Sequence, residues 1–335
     1  MGISIFQITY FFTSPLSVVI QDNIFKIMPV IITVMGLSAI FILYHLQYKT
    51  RNLVLQKKIV WEKDLELSKI KSHMNDLEVR HRTITDSLNY ASRIQQAMLP
   101  SEKYFKKYFD KSFILHMPKD ILSGDFYWIE KRDDKIFVAA GDCTGHGVPG
   151  ALMSMMGHDM LEKAINVDRM VHPSHILDAM NEWIGKTFNC EKNNNSEIHD
   201  GIDLGLCVVD LKRQYVEFAG ALSRLYIIRN NSIHEIKGDR FSLGSLPPWA
   251  SYRNSSFDLL PDDTIYLFSD GYPDQFGGTE NKKFKYRRFR CLLNTINNFD
   301  LDDQKMILKE NIITWKGINP QIDDILVIGF KPISL

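Results

Sequence analysis

An uncharged apolar stretch near the N-terminus constrains the fold of this chain more than any other feature. No charged residue occurs between Ile27 and Tyr44, and the stretch extends to Leu46. Its about 20 residues are enough for one helix to cross a bilayer core. A buried core helix is the alternative, but the segment has no polar face and no apolar helix nearby to pack on. We therefore predict a transmembrane helix at 27–46.

The charges beside this stretch predict its orientation. Only Lys26 lies just before it, whereas four basic residues follow it, namely Lys49, Arg51, Lys57 and Lys58. Positive flanks stay on the cytoplasmic side, so we expect a single-pass protein of the cytoplasmic membrane with its bulk in the cytoplasm. Residues 1–26 form a poorer apolar segment, interrupted by polar residues. Its first 20 residues either span the membrane too or lie at its surface.

A long run of good helix formers follows, with no Pro or Gly between Asn52 and Leu99. Apolar residues recur at spacings of three and four, as in a coiled-coil seam. The seam consists of Leu67, Ile70, Met74, Leu77, Ile84, Leu88, Ala91 and Met98, with His81 and Gln95 as polar positions that set its register. We predict a signalling helix at 47–99 that forms a homodimer through 53–98. For 85–98, packing on the chain's own domain is an equal alternative.

The remainder, 100–335, alternates predicted strands and helices. The strands are expected at 113–116, 135–140, 204–210, 215–220, 225–229, 264–268 and 325–330. The helices are expected at 148–165, 174–186, 287–297 and 302–315. Many strands are joined by short turns, which favours antiparallel pairing and an α+β sandwich of two sheets with helices outside.

Composition narrows the classes of partner. Hydrophobic residues make up 45% and charged residues 24%, as in folded proteins, and 40 Lys+Arg balance 40 Asp+Glu. No global charge therefore draws the chain to nucleic acid. The four cysteines, Cys143, Cys190, Cys207 and Cys291, form no CxxC pair. This spacing fits neither a zinc site nor a disulfide framework, and it suits a reducing compartment.

A local exception is the basic run at 282–290, which places Lys and Arg among aromatic residues. We interpret it as a solvated loop that leads into a helix, rather than as a nucleic-acid site. A secondary role towards an acidic phosphoprotein or an anionic membrane face is consistent with its charge.

Aspartates recur at the ends of predicted strands, each beside a turn. Asp125 lies in Ser-Gly-Asp, Asp142 and Asp270 each follow an apolar strand, and Asp323 and Asp324 open the last one. Converging carboxylates repel unless they are neutralised, and oxygen-rich sites suit Mg²⁺ or Mn²⁺. Two such ions can activate water for attack on phosphorus. One Asp-Gly alone is usually a turn, but the recurrence predicts a metal site.

A Gly-rich segment at 145–150 leads into a predicted helix, and helix N-termini favour anions. The segment lacks the spacing of a Walker loop. His146 within it either donates a proton to a leaving group or serves only as a turn residue.

Six segments together resemble the metal-dependent protein phosphatases, the PP2C-like superfamily, in its bacterial SpoIIE-type branch. The resemblance extends over 84–331, and the segments are 92–101, 118–128, 141–154, 218–221, 268–275 and 323–328. It implies an αββα sandwich of two antiparallel sheets, preceded here by the transmembrane helix and the long coiled-coil-like helix. The phosphatase domain is expected at 100–335.

The resemblance also implies the activity and its residues. The reaction would be hydrolysis of phosphoserine or phosphothreonine with two divalent ions, Mn²⁺ or Mg²⁺. Asp142 would bridge the ions and the carbonyl of Cys143 would bind one, while Asp270 and Asp323 would hold the other. Asp125 would act mainly through bound water. The implied substrate is a phosphorylated regulatory protein of the anti-sigma-factor-antagonist type, and the preceding helix would control activity.

The chain departs from the family pattern in its loops. Residues 219–224 lack the usual Asn-Asn-Pro after Gly-Ala, 241–244 replace Met-Pro-Ile-Gly, and no residue matches the phosphate-binding arginine of the eukaryotic relatives. The main alternative is a pseudophosphatase scaffold that only binds a partner. Such a scaffold is expected to lose metal aspartates, and none is lost here. A hydrolase of small phosphoesters is a second alternative.

Overall fold

The computed structural model describes residues 15–188, 201–247 and 249–333. The chain divides into two compact units, Met1–Thr83 and Ile84–Leu335. The predicted domain boundary after residue 99 coincides with the end of a helix, whereas the second compact unit begins earlier, at Ile84.

The helices lie at Pro15–Met98 (α1), Glu102–Lys106 (α2), Gly147–Glu162 (α3), Pro173–Phe188 (α4), Gly271–Asp274 (α5), Lys285–Ile296 (α6) and Leu301–Lys316 (α7). The strands lie at Ser112–Met117 (β1), Phe126–Arg132 (β2), Lys135–Cys143 (β3), Ile202–Asp210 (β4), Tyr215–Ala221 (β5), Arg224–Arg229 (β6), Ser232–Lys237 (β7), Ser255–Asp258 (β8), Thr264–Phe268 (β9), Phe276–Gly277 (β10), Lys282–Lys283 (β11) and Ile325–Phe330 (β12). A π-helical turn, Lys163–Val167, continues α3.

Helix α1 contains the predicted membrane span. Among the described residues it is the one helix that is long and apolar enough to cross a membrane. It begins at Pro15, so Pro29 lies inside it. The large apolar side chains between 24 and 46 are exposed in the single chain. The prediction for residues 1–20 falls largely on 1–14, outside the described residues.

The apolar stripe of α1 has two different environments. In the first unit, Leu67 and Leu77 are 51% and 64% exposed, so the predicted pairing of 53–98 stays a prediction. In the second unit, Gln95 is only 6% exposed, and its side chain donates a hydrogen bond to the carbonyl of Ser123. The interpretation of Gln95 as a register-setting seam residue was therefore wrong. The alternative, that 85–98 packs on the chain's own domain, describes this part of α1.

The second unit is built from two five-stranded sheets. One has the strand order β1-β12-β9-β6-β7, and the other has the order β2-β3-β4-β5-β8. All neighbouring strands pair antiparallel. The predicted strands are present within a few residues of their expected ends. The sequence interpretation missed β2, β7, β8 and the two-residue strands β10 and β11. Strands β7 and β8 are sheet edges with alternating exposed positions, so their apolar signal is weak.

Three hydrophobic layers make this unit an αββα sandwich. Alternate residues of β3 show why: Ile136 and Val138 enter the core between the sheets, whereas Phe137 and Ala139 pack in the layer shared with α3 and α4. On the other sheet, the outer layer includes residues of α6 and α7. The predicted fold of two antiparallel sheets flanked by helices is thereby confirmed.

Candidate active site

The predicted aspartates lie at strand ends that meet at one edge of the sandwich. Antiparallel pairing places the start of β2 beside the end of β3, with Phe126 opposite Gly141. It likewise places the start of β12 beside the end of β9, with Val327 opposite Phe268. Residues that precede β2 therefore lie near the end of β3. Likewise, residues that precede β12 lie near those that follow β9. The topology explains why carboxylates far apart in sequence converge.

Asp142 is the last residue but one of β3 and lies directly opposite Asp203, the second residue of β4. Both carboxyl groups line a cavity of about 30 Å³ together with Asp270. The hydroxyl of Ser242 donates a hydrogen bond to Asp203. Asp203 is a site residue that the sequence interpretation missed, because the strand was started one residue later, at 204. An acidic residue that opens an apolar strand is the same signal that identified the other aspartates.

Asp125 is buried, with 1% of its surface exposed. The Ser269 hydroxyl donates to its Oδ2 at 2.6 Å, and the backbone N–H of Leu326 donates to the same Ser269 Oγ at 3.0 Å. Ser269 thus connects the Asp125 carboxylate, which precedes β2, to the backbone at the start of β12. The sequence interpretation included Ser269 in a motif but assigned it no role.

Asp323 and Asp324 are neighbours with different surroundings. Asp324 is buried, and its two oxygens accept the backbone N–H groups of Lys119 and Gly124, both at 2.7 Å. Asp323 is only half-buried, and its Oδ1 accepts the backbone N–H of Asp324 at 2.9 Å. Asp324 therefore ties the loop before Asp125 to β12, whereas Asp323 keeps a carboxylate oxygen for another ligand.

Asp270 follows β9 and lines the cavity. The next residue, Gly271, approaches the backbone of the neighbouring strand so closely that a Cβ there would lie 1.8 Å from the Asp324 carbonyl oxygen. Only glycine fits this position. The close approach brings Asp270 beside the segment that carries Asp323.

Mutual repulsion and burial shape the electrostatics of these carboxyl groups. Burial, followed by the charge of Asp142, raises the pKa of Asp125 well above its usual value. Burial, followed by the charges of Asp270 and Asp323, also raises the pKa of Asp142 well above its usual value. Partial burial and the charges of Asp274 and Asp323 raise the pKa of Asp270 to about 6. Burial also raises the pKa of Asp203.

This donor set fits hard divalent cations. The carboxylates destabilise one another unless a proton or a cation neutralises them. Within the described residues, no three His, Cys, Asp or Glu side chains form a closed cage for a metal ion. Mg²⁺-type sites do not need one, because such ions keep several waters and use one or two carboxylates. The thiol of Cys143 is buried and burial raises its pKa, so only its carbonyl is suited to a hard cation.

His146 precedes α3, and its Nδ1 lies 2.6 Å from Oδ2 of Asp120. Both side chains are about half exposed. The pairing orients the imidazole. Neither interpretation of His146, proton donor or turn residue, is tested by this contact.

The basic run at 282–290 forms β11 and the first part of α6, rather than a loop. Several of its cations have acidic or aromatic neighbours. Lys283 pairs with Asp274 at 2.7 Å, Arg290 pairs with Glu235 at 3.0 Å, and Arg288 lies over the ring of Trp315 at 4.4 Å. Some of these cations therefore form ion pairs or aromatic contacts within the domain.

Comparisons with known proteins agree with this architecture. The family model of Stage II sporulation protein E (SpoIIE) matches residues 132–332. The phosphoserine phosphatase RsbU of Bacillus subtilis (strain 168) is 25% identical over 192 residues, which cover 56% of this chain and 53% of RsbU. The chain thus spans about half the length of this relative.

Solved structures share the fold. The SiaA-PP2C domain of Pseudomonas aeruginosa is 33% identical, with a TM-score of 0.69 over 75% of this chain and 98% of that domain. The PP2C phosphatase domain of SpoIIE from Bacillus subtilis, solved with a fragment of its regulatory domain, is 18% identical. Its TM-score is 0.53, over 65% of this chain and 62% of that one. The family match spans more than half of the chain, so this protein belongs to the SpoIIE family, a branch of the PP2C-type serine/threonine protein phosphatases.

Proposed function

We propose that this chain is a membrane-anchored, metal-dependent phosphatase that hydrolyses phosphoserine or phosphothreonine on a regulatory protein. The observation that carries the proposal is the meeting of Asp125, Asp142, Asp270 and Asp323 at one edge of the sandwich. Asp142 and Asp270 line the small cavity at this edge. Family membership supports the same reaction class. A scaffold without activity has no need to retain mutually destabilising carboxylates.

Two divalent ions, Mn²⁺ or Mg²⁺, are the proposed cofactors. Asp142, Asp270, Asp323 and the carbonyl of Cys143 would hold them, with Asp125 acting mainly through water. When bound, such ions supply the positive charge that neutralises the carboxylates, activates water and stabilises phosphoryl oxygens.

The chain's own residues position these groups. Ser269 orients the Asp125 carboxylate through its 2.6 Å hydrogen bond. Asp324 holds the preceding loop through the N–H of Gly124, so the loop cannot move without breaking a buried charge-assisted bond. The site therefore rests on rigid strand ends, which suits preorganised stabilisation of a charged transition state.

A turnover assay tests the activity. The full-length chain in detergent is given a phosphoseryl peptide, with Mn²⁺, with Mg²⁺ or with chelator. We expect turnover that requires metal and that Asp142→Asn abolishes. Asp134→Asn is the matched control, because Asp134 is an exposed aspartate of the β2–β3 turn, with 70% of its side chain accessible. No turnover in the wild type would favour the scaffold alternative, whereas metal-independent turnover would contradict the proposed metal cofactors.

The anchor is proposed to cross the cytoplasmic membrane once, with the catalytic domain in the cytoplasm. The apolar length of α1 and the basic residues after 46 support this orientation. A topology reporter fused at Lys58 should report the cytoplasmic side. Replacing Lys49, Arg51, Lys57 and Lys58 by neutral residues should weaken the preference for the cytoplasmic orientation. A reporter signal from the outer side of the membrane in the unmodified chain would contradict the proposed orientation.

The proposed homodimer uses the exposed stripe of α1. Leu77 lies on the stripe and is 64% exposed, and Val79 lies off it and is 65% exposed. In a Cys291→Ser background, Leu77→Cys should form a disulfide-linked dimer under mild oxidation, whereas Val79→Cys should not. Equal crosslinking of the two variants would count against a specific seam.

The proposed partner is a phosphorylated regulatory protein, and the anti-sigma-factor-antagonist type is the class that the family resemblance suggests. The exposed cations at the start of α6, Lys285 and Arg287, are suited to meet an acidic surface on it. Replacing both by Ala should raise KM for the phosphoprotein at low salt and leave KM for an aryl phosphate unchanged. A salt-independent KM, unaffected by the replacement, would remove this role.

A further inference from the structure

The cavity beside the aspartates has chemically different lining residues. Three of them are acidic, namely Asp142, Asp203 and Asp270. Others come from the loop between β5 and β6, from the first residue of β6 and from α6, namely Leu222, Arg224 and Tyr286. Among the described residues that line the cavity, Arg224 is the only cation. This loop is also where the chain departs from the Asn-Asn-Pro pattern, so the cation is a feature of this sequence.

Arg224 is held in place from two sides. Its guanidinium lies over the ring of Tyr286, 3.9 Å from the ring centroid. Its Nη1 donates to Glu235 Oε1 at 3.0 Å. The other oxygen of Glu235 accepts from Arg290 Nη1, also at 3.0 Å. Glu235 thus serves two arginines, and the three side chains together carry a net positive charge.

A guanidinium in this arrangement keeps capacity for a further anion. It has five N–H donors in a planar fork that matches phosphate, and the bond to Glu235 uses one of them. Stacking on Tyr286 fixes the plane of the fork, which lowers the entropy lost on binding. The side chain is partly accessible, at 29%, so solvent and ligands reach it.

We propose that Arg224 binds the phosphoryl group of the substrate in the cavity that it lines together with Asp142 and Asp270. This inference rests on the proposed function and adds to it a phosphate ligand that none of the family motifs supplies. A phosphomonoester dianion cannot approach the acidic residues of the cavity unless cations lie between them. Its remaining oxygens then need donors, and Arg224 is the positive side chain among the described residues that line the cavity.

The competing explanation is that Arg224 has only a structural role and stabilises the pairing of β6 with β7 through its ion pair with Glu235. Two variants separate these explanations. Arg224→Gln removes both the ion pair and the guanidinium, whereas Glu235→Gln removes the ion pair and leaves the guanidinium in the cavity. If Arg224 had only this structural role, the two variants would have the same effect on phosphate binding.

The test measures binding of inorganic phosphate to the full-length, Mn²⁺-loaded chain by calorimetry, with aryl phosphate turnover measured in parallel. We expect Arg224→Gln to weaken phosphate binding roughly tenfold or more, as for loss of a charge-assisted hydrogen bond, and to raise KM similarly. Glu235→Gln should bind phosphate as tightly as the wild type or more tightly. Arg213→Gln, an exposed arginine with 80% of its side chain accessible, is the matched control and should change nothing.

Three results would overturn the assignment: no phosphate binding by the wild type, a change below about twofold in Arg224→Gln, or equal losses in Arg224→Gln and Glu235→Gln. Thermal denaturation of each variant checks that the domain remains folded. If phosphate binds in an Arg224-dependent way but no phosphoester is hydrolysed, the proposed function fails while the role of Arg224 stands.

Discussion

The side chain of Gln95 and the backbone of Ser123 exchange two hydrogen bonds. Gln95 Nε2 donates to the Ser123 carbonyl at 2.6 Å, and the Ser123 N–H donates to Gln95 Oε1 at 3.1 Å. The same amide also donates to Ser154 Oγ at 2.9 Å. The end of α1 is thereby attached to the loop that carries Asp125, two residues after Ser123, and to α3.

The first prediction concerns this attachment. Gln95→Ala leaves a buried N–H and a buried carbonyl of Ser123 without their partner, which should lower the free energy of unfolding by about 1–3 kcal/mol. Because Asp125 lies only two residues after Ser123, metal-dependent turnover should fall as well. Denaturant unfolding and turnover measure the two effects. Gln96→Ala, on the exposed side of the same turn, should change neither, and equal effects of the two variants would remove the special role of Gln95.

The second prediction separates two adjacent aspartates. Asp324→Asn cannot accept both backbone N–H groups that Asp324 now accepts, so it should destabilise the domain by about 1–3 kcal/mol. Asp323→Asn should leave stability in chelator nearly unchanged and abolish turnover, since Asp323 is a proposed metal ligand. Thermal unfolding with chelator, followed by turnover with Mn²⁺, distinguishes them. The reverse pattern would mean that the two roles are exchanged.

The third prediction concerns pH. The pKa of Asp270 is about 6 in the fold, against the ordinary value of 3.8 for a solvated aspartate in the unfolded chain. Between these values the native state binds more protons than the unfolded state, so stability falls as pH rises. The metal-free protein should therefore lose thermal stability from about pH 4 to pH 6, with the higher value set by the Asp270 pKa.

Two controls accompany this measurement. Mn²⁺ added at neutral pH should restore the stability, because a bound cation replaces the protons. Asp142→Asn should flatten the pH dependence, since it removes a neighbouring charge from the same cluster. Metal-free stability that rises from pH 4 to pH 6 would contradict the raised pKa values.

The fourth prediction tests whether α1 transmits a signal. Two residues inserted after Glu78 rotate everything beyond them by about 200° relative to the membrane span. If helix rotation or register controls the Gln95 attachment, turnover of the full-length chain in vesicles should change several-fold. Seven inserted residues return the seam to within about 20° and should restore the original rate. Turnover that both insertions leave unchanged would indicate a constitutive enzyme.

Local patterns in the sequence determined most of the elements of this protein. Short continuous runs of apolar residues identified β3, β9 and β12, and the uncharged stretch identified a helix able to cross a membrane. Aspartates beside glycines at strand ends, such as Asp142 and Asp270, indicated the site. These signals depend on a residue and its immediate neighbours, which is why they are readable without a structure.

Tertiary structure decided which contact each of those residues makes and hence which role it has. The register of β3 and β4 placed Asp203 opposite Asp142, and the loop contacts of Asp324 distinguished it from Asp323. The seam position Gln95 became a partner of the Ser123 backbone, although its spacing in α1 is that of a coiled coil. Each of these outcomes depends on contacts between segments distant in sequence, and hydrophobic periodicity carries no information about which distant backbone group a polar side chain will reach.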